Sequence, residues 1–205
     1  ASVTIYDGEF NSKDGVNVML TGPSTGSPKI EGGIFSNDTV GRQGADSEKI
    51  ESYLPEGVTI SQDENGKQTV QVNTASAVAE ANGKPYLTVQ AAIDSISGSG
   101  EVKLLQSTNE DIVIARGDIT LNLNGQTLTN VTSDTITVKI GAALTVTGTG
   151  TVDNKSNGKA AVFNEGTVVL EGGTYDRTSE TGESAGVSGG NSWYTICNHG
   201  TMTIG

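Results

Sequence analysis

Residues 161–175 read AVFNEGTVVLEGGTY. Short apolar runs, Ala161–Phe163 and Val168–Leu170, lie on either side of Glu165-Gly166, and the stretch closes on Gly-Gly, Thr and Tyr. Period-2 alternation over four to six residues makes a short strand with one face inward. Gly and Asn supply positive φ where the chain turns sharply. The stretch therefore predicts short strands separated by tight corners, and both halves of it recur. TICNHGTMTI (195–204) repeats the first half, with Asn164 and Asn198 34 residues apart, as are Leu170 and Ile204. VTIYDGEF (3–10) and PKIEGGIF (28–35) repeat the second half, VVLEGGTY (168–175). LNLNGQTL (121–128), LTVTGTGTV (144–152) and MTIG (202–205) are related forms.

Aligned on the apolar residue before the polar-Gly step, Leu123, Val146, Leu170 and Ile204 are spaced by 23, 24 and 34 residues, and Ile5 and Ile30 by 25. The long interval holds TSETGESAGVSGG (178–190), which reads as a protruding loop. One coil of this length cannot bury its apolar stripe, but stacked coils can. The fold class expected is all-β: a right-handed parallel β-helix with β-hairpins and a short capping α-helix. An antiparallel sandwich ranks lower, because it needs no phrase repeated at constant period. Ile5, Ile30, Val146, Leu170 and Ile204 are expected to stack coil on coil, with Phe10, Phe35 and Tyr175 on a common face. Asn164 and Asn198 are expected to form a hydrogen-bonded ladder.

Other segments break the pattern. TVQAAIDSIS (88–97) places Val89, Ala92, Ile93 and Ile96 on one helical face, with Thr88 as N-cap and Gly98 as terminator. A helix of about three turns should cover the first coil near Val102, Leu104 and Leu105. Asn82-Gly83 and Asn65-Gly66 each mark a hairpin turn, the second within 58–72. SEKIESYL (47–54) reads as a short helix. The expected domains are 1–73, the last coils and exit hairpin of one helix module, and 74–205, the lead-in hairpin, capping helix and first coils of another.

Composition agrees. Only 34% of the 205 residues are hydrophobic and 4% aromatic, thin for a compact globule but sufficient for a solenoid stripe. The net charge of −12 opposes binding to nucleic acid or anionic membrane. No run approaches the roughly 20 apolar residues of a membrane span. Cys197, the only cysteine, excludes an intrachain disulfide and reads as a small core residue. ASVTIYDGEF (1–10) lacks the basic start and apolar run of a signal peptide and reads as mid-strand, so an excised fragment is expected.

KPYLTVQAAIDSISGSGEVKLLQSTNEDIVIARGDITLNLNGQTLT (84–129) resembles the opening segment of many right-handed β-helix proteins, where a short helix covers the N-terminal end. IEGGIFS (30–36) with YLPEGVTISQDENGKQTVQV (53–72) resembles the exit segment of repetitive, adhesin-like cell-surface proteins of gut Gram-positive bacteria. The resemblance implies a secreted or cell-surface structural module that binds host glycan or protein through its loops.

Many β-helices are polysaccharide lyases or hydrolases, so carboxylates with a nearby cation need weighing. Glu171, Asp176 and Arg177 form one loose set and Asp111 with Arg116 a second; Arg42 is the remaining arginine. No dense acidic patch recurs, and these read as surface and turn residues. His199, the sole histidine, reads as a corner residue, since no nucleophile motif accompanies it. DGEF (7–10) and SND (36–38) read as turns before they read as calcium loops. The Thr-x-Thr pairs 135/137, 145/147, 149/151 and 201/203 suggest ice binding only if they keep one register, which the spacing does not give them. No catalytic, cofactor or metal residue is therefore assigned, and a carbohydrate-active β-helix is the alternative.

The exit-like segment precedes the opening-like one. Joining the end to the start gives HGTMTIG-ASVTIYDGEF, where Ile204 and Ile5 fall six residues apart, like Val146 and Val152. This predicts one period of a tandem array or a permuted chain, with residues 1–40 stacked on 190–205 within the chain or head-to-tail with another copy.

Overall fold

The computed structural model describes residues 3–13, 15–16, 18–20, 28–42, 45–156, 158–179 and 194–205. It is nearly all β, with parallel strands stacked coil on coil as in a β-solenoid. Two compact units, Ala1–Ala77 and Val78–Gly205, are described separately.

The first unit contains two coils of three strands. The first is β1 (Thr4–Ile5), β2 (Glu9–Phe10) and β3 (Val18–Leu20); the second is β4 (Lys29–Ile30), β5 (Gly33–Phe35) and β6 (Thr39–Arg42). β1, β2 and β3 pair in parallel with β4, β5 and β6, which puts Ile5 on Ile30, Phe10 on Phe35 and Val18 on Val40. The Phe10 and Phe35 rings stack 4.8 Å apart and 8° from coplanar, the inter-strand spacing itself. Antiparallel strands then end the stack. β7 (Ala45–Lys49) pairs with β6, and the hairpin of β8 (Val58–Gln62) and β9 (Gln68–Val72) pairs through β9 with β5. The 58–72 hairpin is as read, its turn held by Asp63 Oδ1, which accepts the N–H groups of Asn65 and Lys67. Segment 47–54 differs: β7 occupies its first half, and a 3-10 helix, Ile50–Tyr53, follows. Pairing with β6 outweighs the local helical pattern there, and Ile50 and Tyr53 are buried under the coils.

The second unit opens with the hairpin β10 (Ala79–Ala81) and β11 (Lys84–Tyr86), turned by Asn82 and Gly83 with φ of 52° and 74°. Helix α1 (Val89–Asp94) follows. Coils then run in threes: β12 (Ser99–Leu104), β13 (Thr108–Asn109), β14 (Ile112–Ile114); β15 (Asp118–Asn122), β16 (Thr127–Thr129), β17 (Ile136–Val138); β18 (Ala143–Thr147), β19 (Thr151–Asp153), β20 (Val162–Asn164); β21 (Thr167–Leu170), β22 (Thr174–Asp176), β23 (Ile196–Asn198); and lastly β24 (Thr201–Ile204). Each coil contributes one strand to each of three sheets. The first sheet is β11-β10-β12-β15-β18-β21-β24, the second β13-β16-β19-β22 and the third β14-β17-β20-β23. All pairs among the coil strands are parallel; only β10 is antiparallel, to β11 and β12.

The stripe is continuous. Val102, Leu121, Val146, Leu170 and Ile204 form one ladder, and Ile119, Leu144, Val168 and Met202 another. Leu121, not Leu123, is thus the partner of Val146. Gly125 lies three residues past the end of β15 and Gly148 one past the end of β18, so aligning on the Gly step misplaces the strand by two residues. Val146, Leu170 and Ile30 are buried and Ile5 half-buried, but Ile204 is 68% exposed, because among the described residues no strand covers β24.

The Asn-x-Gly-Thr phrase has a steric cause. Gly166 and Gly200 pack so closely on the preceding coil that a Cβ on Gly200 would fall on the carbonyl oxygen of Gly166, and one on Gly166 on that of Ala142. Asn164 Nδ2 donates to Asn198 Oδ1 at 2.7 Å, but the residue below Asn164 is Val138, so the ladder has a single rung.

Helix α1 is six residues long, shorter than three turns; Ser95 closes it and Gly98 (φ 93°) redirects the chain. Thr88 Oγ1 accepts the Ala91 N–H, and Val89, Ala92, Ile93 and Ile96 join Val102 and Leu104 in the core. Glu110, from the first coil, accepts the N–H groups of Val89 and Gln90 at 2.8 Å each. Burial raises its pKa; those two bonds oppose the rise, and the Asp111 charge adds to it. A carboxyl with a raised folded pKa takes up its proton sooner in the folded state. Stability should therefore fall as pH rises from the ordinary glutamate value through the raised one, and recover on acidification. Urea midpoints measured from about pH 4 to about pH 7 should show this slope, and Glu110→Gln should flatten it. An unchanged slope in that variant would assign the effect elsewhere.

Candidate functional site

The carboxylates that an enzyme would need are mostly bound to the backbone at one corner, between the second and third sheets. Asp111 accepts the N–H groups of Val131, Thr132 and Ser133 at 2.7, 3.2 and 3.2 Å. Asp134 accepts that of Ala160 at 2.7 Å. Asp153, buried, accepts the N–H and hydroxyl of Thr178 at 2.9 and 2.6 Å, with Lys155 Nζ 3.8 Å away. Asp176 accepts the Arg177 N–H at 2.7 Å. Asn154, fully buried, donates to the Ser133 and Ala160 carbonyls and the Thr135 hydroxyl, and accepts from the Ser156 N–H.

The two loose sets read from the sequence stay loose. Glu171 is exposed at the corner after β21 and Asp176 at the end of β22, while Arg177 is buried at the next corner. Asp111 is turned to the loop above it, and Arg116 is exposed on the far side of β14. Arg42 lies on β6 in the other unit. The acid that does share a register with Asp176 is Asp153, one coil earlier. Sequence reading missed it because it is the outward residue of a strand and carries no motif.

His199 is exposed at a corner, as read, and its Nε2 lies 3.5 Å from Cys197 Sγ. Cys197 is shielded but faces outward, in line with Thr137 and Phe163 rather than with the apolar stripe. Burial raises its thiol pKa, and Asp134 adds to the rise, opposite to the shift that activates a nucleophilic cysteine. At the turns, Asp7 accepts the Gly8 N–H, Asn37 accepts that of Thr39, and Asp38 pairs with Lys49, whose hydrogen bond lowers the Asp38 pKa. Among the described residues no three His, Cys, Asp or Glu side chains come together as a metal ion requires.

The chain matches no protein-family model, no curated protein and no solved structure.

The threonines fall partly into columns. Thr127, Thr151 and Thr174 align on the second sheet. On the first, Thr145 aligns through Val169 with Thr203, so the pairs 145/147 and 201/203 are offset by two residues. Thr135 is buried and donates to the Asp153 carbonyl. Residues 180–190 of the expected protruding loop lie outside the described residues. Among the described residues no helix is long and apolar enough to cross a membrane.

Proposed function

We propose that the chain is a non-enzymatic structural and adhesive module of a secreted or cell-surface protein, holding a binding surface on a stiff stack of coils. The observation that carries this reading is the use made of the acids. Asp111, Asp134 and Asp153 hold corners by accepting backbone and hydroxyl groups, so their lone pairs are committed to shape. The acidic surface, the repeated phrase and the resemblance to adhesin-like surface proteins support the same reading. Host glycan or protein is the partner proposed.

Incubation with a panel of acidic and neutral polysaccharides should release no new reducing ends or unsaturated products, while at least one glycan or host protein is retained in a binding screen. Reproducible product release that Asp176→Asn or Glu171→Gln abolishes would instead establish a carbohydrate-active β-helix.

A further inference from the structure

Among the described residues only two besides glycine have a positive φ, Asn82 at 52° and Asn124 at 48°. Each is followed by a glycine, Gly83 at 74° and Gly125 at 78°. The two turns share residue types and backbone, so they differ only in their surroundings. At the corner after β15 the Asn124 amide donates to the Leu104 carbonyl at 2.8 Å, and the Gly125 N–H donates to the Thr149 carbonyl at 2.6 Å. At the tip of the β10–β11 hairpin both residues are exposed, and among the described residues neither the Asn82 amide nor the Gly83 N–H is bonded. A third pair, Asn65-Gly66 on the β8–β9 hairpin, stands between them. Asn65 is exposed, but the Gly66 N–H donates to the Asp63 carbonyl at 3.1 Å.

We infer that Asn82 is a self-modifying site, whose side-chain amide is lost through attack by the Gly83 nitrogen. The Gly83 N–H gives its proton to solvent base, its nitrogen bonds to Asn82 Cγ, and Nδ2 leaves as ammonia, which closes a cyclic imide. Water then opens the ring. Opening at Cγ breaks the new bond and leaves aspartate. Opening at the main-chain carbonyl breaks the old peptide bond and leaves isoaspartate, with the chain running through Cγ. One water is consumed and one ammonia released, with no oxidant or reductant. Glycine allows the attack because it carries no Cβ beside the approaching amide, and nothing lies within 4 Å of where a Gly83 Cβ would stand. A bonded N–H or amide must first give up its partner. Asn124-Gly125 carries both restraints, Asn65-Gly66 one and Asn82-Gly83 neither. Isoaspartate lengthens the main chain of a two-residue turn. The Ala81–Lys84 pair that closes the turn then loses its register, and the hairpin covering the edge of β12 loosens.

The test holds the 205-residue chain at mildly alkaline pH for weeks and counts aspartate plus isoaspartate at each site by peptide mapping. Asn82 should convert about tenfold faster than Asn124, roughly what two hydrogen bonds withhold, with Asn65 between them. In concentrated urea the three rates should converge, because all three pairs are Asn-Gly. Hydrogen exchange over residues 79–86 should be faster in the aged protein than in the fresh one. Asn82→Gly, which keeps the positive φ without the amide, should abolish that gain. Conversion of Asn124 in the folded chain at the rate of Asn82 would overturn the assignment. Unchanged exchange over 79–86 once Asn82 has converted would overturn the loosening of the hairpin.

Discussion

Leu121→Ala is expected to lower the unfolding free energy by about 2–5 kcal/mol, measured by urea denaturation. Leu121 is fully buried and lies in the ladder between Val102 and Val146. The change removes three carbons from the stripe, worth about 0.8 kcal/mol each, and leaves a cavity that the neighbouring coils cannot close without breaking their own pairing. Leu170→Ala should fall in the same range of about 2–5 kcal/mol, since Leu170 is also buried. Ile204→Ala belongs to the same ladder but should cost under about 0.5 kcal/mol, because Ile204 is 68% exposed. Equal losses at Leu121 and Ile204 would show that the ladder is not the stabilising unit.

Asn154→Ala is expected to cost about 2–4 kcal/mol, although Asn154 is polar and has no apolar partner to lose. Its amide donates at 2.9 Å to the Ser133 carbonyl and at 2.8 Å to that of Ala160, and its oxygen accepts the Ser156 N–H at 2.9 Å. Truncation leaves those groups shielded from water with fewer partners, and the penalty of an unmet buried polar group exceeds the net worth of the bond. Asn154→Asp should not rescue the loss, because a carboxylate offers no donor to the two carbonyls and introduces a buried charge. Thermal midpoints of the two variants decide this. An alanine variant as stable as the parent would mean that water replaces the side chain there.

Features with both partners close in sequence were legible beforehand. The Asn82-Gly83 turn and the Thr88 cap follow from local spacing, and the Phe10–Phe35 stack from a phrase repeated 25 residues on. So does the parallel stack, because its phrase recurs. The corner chemistry was not legible. Asp111 and Asn154 bind groups 19 to 22 residues away, apart from contacts within Asn154's own corner. The register joining those groups is set by strand pairing, which no single phrase reveals. Leu123 aligns in place of Leu121 for the same reason: the strands fix the register, whereas the Gly step moves within the corner. The Phe163–His199 contact was also hidden, since coil stacking and not a shared motif brings those two rings together.

The corner between the second and third sheets has one more consequence. In successive coils it comprises residues 110–111, 130–135, 154–161 and 177–195, yet the strands on either side keep their pairing. Its length therefore varies nearly tenfold without shifting the frame. Closing a loop twice as long costs only about 0.6 kcal/mol, little beside what the flanking ladders contribute. The corner is consequently the place where foreign sequence can be spliced in and displayed, and where related chains are free to diverge most in length. In this chain the register belongs to the sheets and the variety to a single seam along them.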